Sequence, residues 1–253
     1  MEIDENECHD EQWASIMSTH RTDFIEYWIR PNFQKAKVVD FMGMEWPHDT
    51  PLRILMLLSP REQEDGSAGT FLEALYPMSA DGAAVRLVIE EMQPWANGFE
   101  GRLRARFADG DGRSFVFFDT RFYRNAERYT VGMEADFNLS GLAMKAWVGH
   151  EEMVHIPEET TLRGQSFLIR WDKFPEDTYV FRGPVIGVAT FDMGKRKIVT
   201  LSIKTLRYAT VDGNIADVVL PVHVDSEKWG NNERPMPGAD AQGFLWLHGY
   251  LLE

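Results

Sequence analysis

Four scarcities narrow the chemistry open to this chain. It has one cysteine, Cys8. No disulfide can form within the chain, and no zinc site built on several thiolates is possible. Carboxylates surround that lone thiol and disfavour its thiolate, so it is a poor nucleophile. Cations are scarce too, with 26 Lys and Arg against 40 Asp and Glu and a formal charge of −14. That argues against a general polyanion binder, because phosphate contacts need clustered Lys and Arg. The longest aliphatic run, Ile54 to Leu58, is far too short to span a bilayer. The N-terminus lacks the basic start and apolar stretch of a signal peptide. These features lead us to expect a cytoplasmic protein with no membrane partner, no cofactor and no metal.

Nucleotide and acyl-transfer signatures are also missing. Gly66-Ser67-Ala68-Gly69-Thr70 is not followed by the Gly-Lys-Ser/Thr of a phosphate loop. There is no Gly-x-Ser-x-Gly elbow. Asp109-Gly110-Asp111-Gly112 lacks the later acid of a calcium loop and reads as a hairpin turn. His150 and His155 lie five apart, not the four that place two imidazoles on one helical face, and Pro157 ends any helix there.

What is present is a globular chain of 253 residues with 44% hydrophobic content, enough for a real core. Residues 1–12 hold six acids and no Lys or Arg, as a solvated terminus does. Trp13, Ile16, Met17, His20, Phe24, Tyr27 and Trp28 recur at helical spacing, which predicts an amphipathic helix over 11–29, stopped by Pro31. Leu52 to Leu58 reads as a buried strand. The alternative is a short helix capped by Thr50 and Pro51. Short helices are expected at Thr70 to Tyr76 and at Leu139 to Trp147, with a polar loop from Arg61 to Thr70.

From residue 84 the strand signal dominates. Arg102, Arg104 and Arg106 alternate with Leu103, Ala105 and Phe107, which puts cations on one face and apolar groups on the other. Ser114 to Thr120, Phe181 to Phe191, Ile198 to Tyr208 and Val218 to Val224 follow as strands, with a charged linker over 149–164. The dense apolar run Gln242 to Leu252 suggests a central strand with two buried faces.

These runs contain an echo. Phe99-Glu100-Gly101 opens a stretch that closes at Val131-Gly132-Met133-Glu134-Ala135-Asp136-Phe137. Phe181-Arg182-Gly183 opens a longer one that closes at Pro237-Gly238-Ala239-Asp240-Ala241-Gln242-Gly243-Phe244. The pattern of a glycine-bent strand, hairpins and a Gly-Asp-like turn before a last strand resembles the five-stranded OB barrel. That resemblance implies a mainly β (α+β) protein with two OB-like antiparallel β-barrel modules in series and an N-terminal amphipathic helix. The boundaries expected are 1–83 for the helix and a mixed segment, 84–148 for the first module and 149–253 for the second. It further implies ligand binding on a sheet face and its bordering loops.

Seven arginines against five acids fall within residues 99–130, interleaved with aromatics. Candidate contact residues are Arg102, Arg104, Arg106, Arg121, Arg124, Phe122 and Tyr123, together with Trp229 in the polar loop to Pro237. The plain alternative is a salt-bridged surface. The expected role is binding of a protein partner, with single-stranded nucleic acid possible but disfavoured by net charge. An enzymatic alternative places carboxylate chemistry at Asp119, at the end of an apolar strand. The competing reading makes Asp119 a cap that bonds local amides.

Overall fold

A computed structural model describes residues 13, 17, 23, 25–62, 66–110, 112–150, 153–156, 159–162, 165–170, 172–230 and 233–253. Cys8, the acidic terminus, His20 and much of the expected helix lie outside the described residues. Trp13, Met17 and Asp23 are helical, and a helical segment continues through Ile25–Ile29 to Lys35. Strands account for 62% and helix for 11%, so the protein is mainly β.

The N-terminal region forms a four-stranded antiparallel sheet. Its strands are β1 (Lys37–Val38), β2 (Gly43–Trp46), β3 (Leu52–Glu62) and β4 (Ala68–Ser79), paired in that order. Thr70 to Tyr76 is therefore strand and not helix, and much of the expected loop from Arg61 is strand, with β3 running to Glu62 and β4 starting at Ala68. Pairing with β3 satisfies the backbone of this segment, and the packing of Leu75, Tyr76 and Met78 outweighs its helical spacing.

A second sheet holds most of the chain. It begins with β5 (Ala83–Pro94), β6 (Gly101–Phe107), β7 (Ser114–Asp119) and β8 (Glu134–Gly149). A two-stranded ladder follows, β9 (Met153–Ile156) with β10 (Glu159–Leu162), where a plain linker was expected. The sheet resumes with β11 (Phe167–Arg170), β12 (Thr178–Met193), β13 (Arg196–Ala209), β14 (Ile215–Asp225) and β15 (Asp240–Leu251).

Two Greek keys run through it. Strands β5, β6 and β7 are joined by hairpin pairing, and β8 returns beside β5. Strands β12, β13 and β14 repeat the pattern, and β15 returns beside β12. The two returning strands pair with each other, from Asp240↔Gly149 to Leu251↔Phe137. Each also runs parallel to the third strand of the opposite key: β15 with β7, and β8 with β14. The outer pairings form a ring of eight strands, crossed by the β8–β15 ladder.

The second half of the sequence echo falls at matching places in the two keys. Gly132 and Gly238 precede the fourth strands with φ of 86° and 89°, a region open to glycine at little cost. Gly132 N–H donates to Ile89 O at 2.7 Å, and Ile89 N–H donates to Met133 O at 2.9 Å. Gly238 N–H donates to Val185 O and Val185 N–H to Ala239 O, both at 2.9 Å. Ile89 and Val185 each sit at a bulge in the first strand of their key. The opening halves do not match, since Gly101 begins a second strand and Gly183 lies inside a first one.

Two apolar cores result. One fills the sheet interior and includes Leu103, Phe117, Phe137, Leu201, Val222 and Leu245. The other lies between the four-stranded sheet and the large one, around Trp46, Ile54, Tyr76, Phe118, Leu142 and Trp246. β15 serves both, with Leu245 and Leu247 in the first core and Trp246 in the second. β8 does the same through Leu139 and Leu142, so Leu139 to Trp147 is a strand and not the expected helix. Its backbone pairs along both edges, which outweighs the helix preference of Leu, Ala, Met and Lys.

Gly183 marks a close backbone approach in the sheet. A Cβ there would lie 1.7 Å from Lys204 O, whereas one at Gly187 would be no nearer than 3.6 Å to Ser202. Gly183→Ala is therefore expected to cost about 3 kcal/mol or more, because backbone must move, and Gly187→Ala less than about 1 kcal/mol. Urea unfolding followed by tryptophan fluorescence checks this. Equal midpoints for the two variants would show that the approach is not a constraint.

Candidate binding surface

The arginines of β6 emerge from strand alternation. Leu103, Ala105 and Phe107 are buried, and Arg102, Arg104 and Arg106 point to the other face. All three have carboxylate partners. Arg102 Nε donates to Asp177 at 3.0 Å and its guanidinium lies 5.2 Å from the Trp95 ring. Arg104 meets Glu91 at 3.0 Å and Glu176 at 3.2 Å, and Arg106 meets Glu90 at 3.5 Å. Asp177 is buried and also accepts from Trp246 Nε1 at 2.9 Å, so the Arg102 pair belongs to the scaffold.

Arg121, Phe122, Tyr123 and Arg124 follow β7 on a short helical turn. Phe122 is buried, packed on Gly101 and near Tyr129. The Tyr123 hydroxyl donates to Asp40. Arg121 lies 4.3 Å from the Tyr250 ring and 4.0 Å from Glu45. Arg124 pairs with Glu253 and approaches Asp40 at 3.9 Å. This group clasps the four-stranded sheet to the larger one.

Asp119 closes β7 in full burial. It accepts from Arg121 N–H at 2.8 Å, the local-amide cap, and from the Tyr129 hydroxyl at 2.5 Å. Burial raises its pKa to about 6, partly offset by those bonds. Asp225 at the end of β14 caps in the same way, accepting from Glu227 N–H at 3.0 Å. Trp229 is also held by backbone contacts. Its Nε1 donates to Glu233 O at 2.6 Å, and Gly230 N–H donates to Ala146 O at 2.7 Å.

The eight-strand ring parts at two places. Between β5 and β14 lies a cavity of about 560 Å³ whose charged lining is Arg86, Asp109, Glu134 and Asp217. Between β7 and the β11–β13 side lies a smaller one of about 180 Å³. Its lining carries Arg104 and Arg113 from the first key and Arg170 and Arg207 from the second segment, and no carboxylate among the described residues. Phe107 and Tyr208 stack at 3.8 Å beside both cavities. The free edge of β7 is covered here by the Tyr179 hydroxyl, which accepts from Val116 N–H at 2.7 Å and donates to Val116 O at 2.9 Å.

Of the candidate contact residues named from sequence, only Arg104 lines this cavity, joined by Arg113, Phe107 and Phe115 of the same arginine- and aromatic-rich run. Arg170 and Arg207 carried no signal, because neither belongs to an arginine-rich or alternating cationic run. Tertiary pairing alone brings them to β6 and β7.

A second polar cluster is fully internal. His248 Nε2 accepts from Ser79 N–H at 3.0 Å and contacts Ser140 Oγ at 2.9 Å, so its proton sits on Nδ1. Ser79 Oγ donates to Asp81 O at 2.5 Å. His223 Nε2, 2.8 Å from that oxygen, must therefore carry the proton, and its Nδ1 accepts from Thr200 at 2.9 Å. Burial lowers His223 to about 4 and His248 to about 3.

No protein-family model, curated protein or solved structure matches the chain. Among the described residues, no helix is long and apolar enough to cross a membrane.

The buried groups set a pH dependence. Both histidines have folded values below the ordinary 6.5, so the unfolded chain binds more protons and stability falls as pH drops from 6.5 toward 4. Asp119 opposes this between 6 and 3.8, where the folded chain binds the extra proton. These three groups together give a slope of two protons from pH 6.5 to 6 and one proton below, at about 1.4 kcal/mol per proton per pH unit. Urea unfolding across this range should show Asp119→Asn steepening the lower slope and His223→Gln flattening it. Unchanged slopes would remove the assignment.

Proposed function

We propose that this chain is a non-enzymatic binding protein that takes an acidic segment of a partner protein on the arginine-rich face of an OB-like scaffold. The pairing order supports the OB-like reading. Three hairpin-connected strands are closed by β8 and β15 into a five-strand circuit on each side. The matched bulges and glycine turns at Ile89/Gly132 and Val185/Gly238 support descent of the two keys from one repeated unit.

One observation carries the binding reading. Four arginines converge on one cavity, in a chain of charge −14; no carboxylate is among its described lining residues, although Arg104, Arg170 and Arg207 pair with Glu91, Glu176 and Asp217 outside that lining. Arginine forks suit carboxylate oxygens, and the adjoining rings supply apolar contact. A cavity of about 180 Å³ admits a single side chain more readily than a run of stacked bases, which favours a peptide over single-stranded nucleic acid. The buried acid and base groups described above are engaged internally. Asp119 holds a backbone amide and Tyr129, and both histidines are neutral and buried.

Fluorescence anisotropy with a labelled oligoglutamate peptide and a labelled oligothymidylate tests this. The peptide is expected to bind, and Arg170→Gln with Arg207→Gln is expected to weaken it about tenfold, the loss of one to two charge-assisted bonds. Arg124→Gln, remote from the cavity, should leave binding unchanged. Equal affinity across all three proteins, or preference for the oligonucleotide, overturns the assignment.

A further inference from the structure

We infer that the arginine-lined cavity is selective for a phosphoryl monoester on a short apolar stem, the group a phosphorylated side chain of a partner protein presents, and that Glu176 is its built-in competitor. This rests on the binding reading above and narrows it.

Glu176 stands in the turn between β11 and β12, at the edge of the cavity, about 30% exposed. Its Oε1 accepts from Arg170 Nη1 at 2.9 Å. Its Oε2 accepts from Arg104 Nη2 at 3.2 Å and Gln93 Nε2 at 3.3 Å. One carboxylate thus bridges two of the four lining arginines, one from each half of the sheet. Asp217 holds Arg207 at 2.8 Å.

The tether decides which ligands can enter. Glu176 is already in place, so it pays no cost of association. A single free carboxylate offers the same charge and the same two oxygens but must pay that cost, so it binds more weakly than a group of higher charge, while a run of carboxylates can still bind through several contacts. A phosphoryl monoester brings close to two charges and a third acceptor oxygen. It can take bonds from Arg104 and Arg170 in place of Glu176, in a cavity whose lining also includes Arg207. Leu168, Leu206, Phe115 and Tyr208 offer apolar contact to the stem.

Calorimetric titration with phenyl phosphate, inorganic phosphate and phenylacetate tests this on the full chain. Phenyl phosphate is expected to bind at least about tenfold tighter than phenylacetate, with inorganic phosphate in between. Glu176→Gln removes the competing charge, keeps an amide oxygen as acceptor, and should tighten phenyl phosphate about three- to tenfold. Arg170→Gln with Arg207→Gln should abolish the difference between the probes. If that pair does not fold, the Glu176→Gln comparison decides alone. Phenylacetate binding as tightly as phenyl phosphate overturns the phosphoryl selectivity and leaves the acidic-partner reading standing. No binding of any probe, even to Glu176→Gln, overturns both. Binding of phenyl phosphate that Glu176→Gln does not tighten overturns the competitor role.

Discussion

The ladder between β8 and β15 is the constraint on which the rest depends. Both strands are long, both bury two faces, and each belongs to one Greek key while closing the other. Twelve residue pairs hold them together, broken by one irregularity at Phe244/Leu245. Neither half can complete its own circuit without a strand from the opposite half. The interior core is therefore continuous across both keys, with Phe137 and Leu139 packed in the same cluster as Leu245 and Leu247. The same sharing fixes where the ring parts. β7 meets β15 over only two register pairs and β14 meets β8 over three, so the outer ends of those strands diverge and leave cavities.

Charge is organised around that framework. Arg182 and Asp240 form a buried pair where β12 meets β15, at 3.0 Å. Arg102 and Asp177 join the β6 face to the start of β12. Removing one member of such a pair leaves an uncompensated buried charge, so these arginines are committed to holding the fold. The exposed pairs of Arg104 and Arg170 with Glu176 are different in kind. They are partly solvated and so weaker than the buried pairs.

The His223–His248–Ser79 cluster shows how the N-terminal sheet is fastened. Ser79 ends β4, His223 lies in β14 and His248 in β15. The bond from Ser79 N–H to His248 Nε2 forms only while that nitrogen is unprotonated, whereas His248 Nδ1 is buried without a hydrogen-bond partner among the described residues. Burial keeps both imidazoles neutral at neutral pH. Tyr76, whose hydroxyl donates to Thr120 O at 2.9 Å, adds a second tie between the sheets.

Local pattern determined a good deal by itself. The alternation of Arg102 to Phe107 dictates a strand with one charged face, because side chains alternate along extended backbone whatever the partner strand. The apolar run to Leu252 dictates a strand buried on both sides. The turn glycines Gly132 and Gly238 also follow from local chemistry. Leu139 to Trp147 and Thr70 to Tyr76 were misleading, because their spacing and residue types suit a helix and only pairing along the strand decides otherwise. The convergence of Arg104, Arg170 and Arg207, the bridge at Glu176 and the neutral histidine pair were decided by tertiary structure alone. Their partners are separated by 6 to more than 100 residues in sequence, and parallel pairing of β7 with β15 and β8 with β14 leaves no mark in local periodicity.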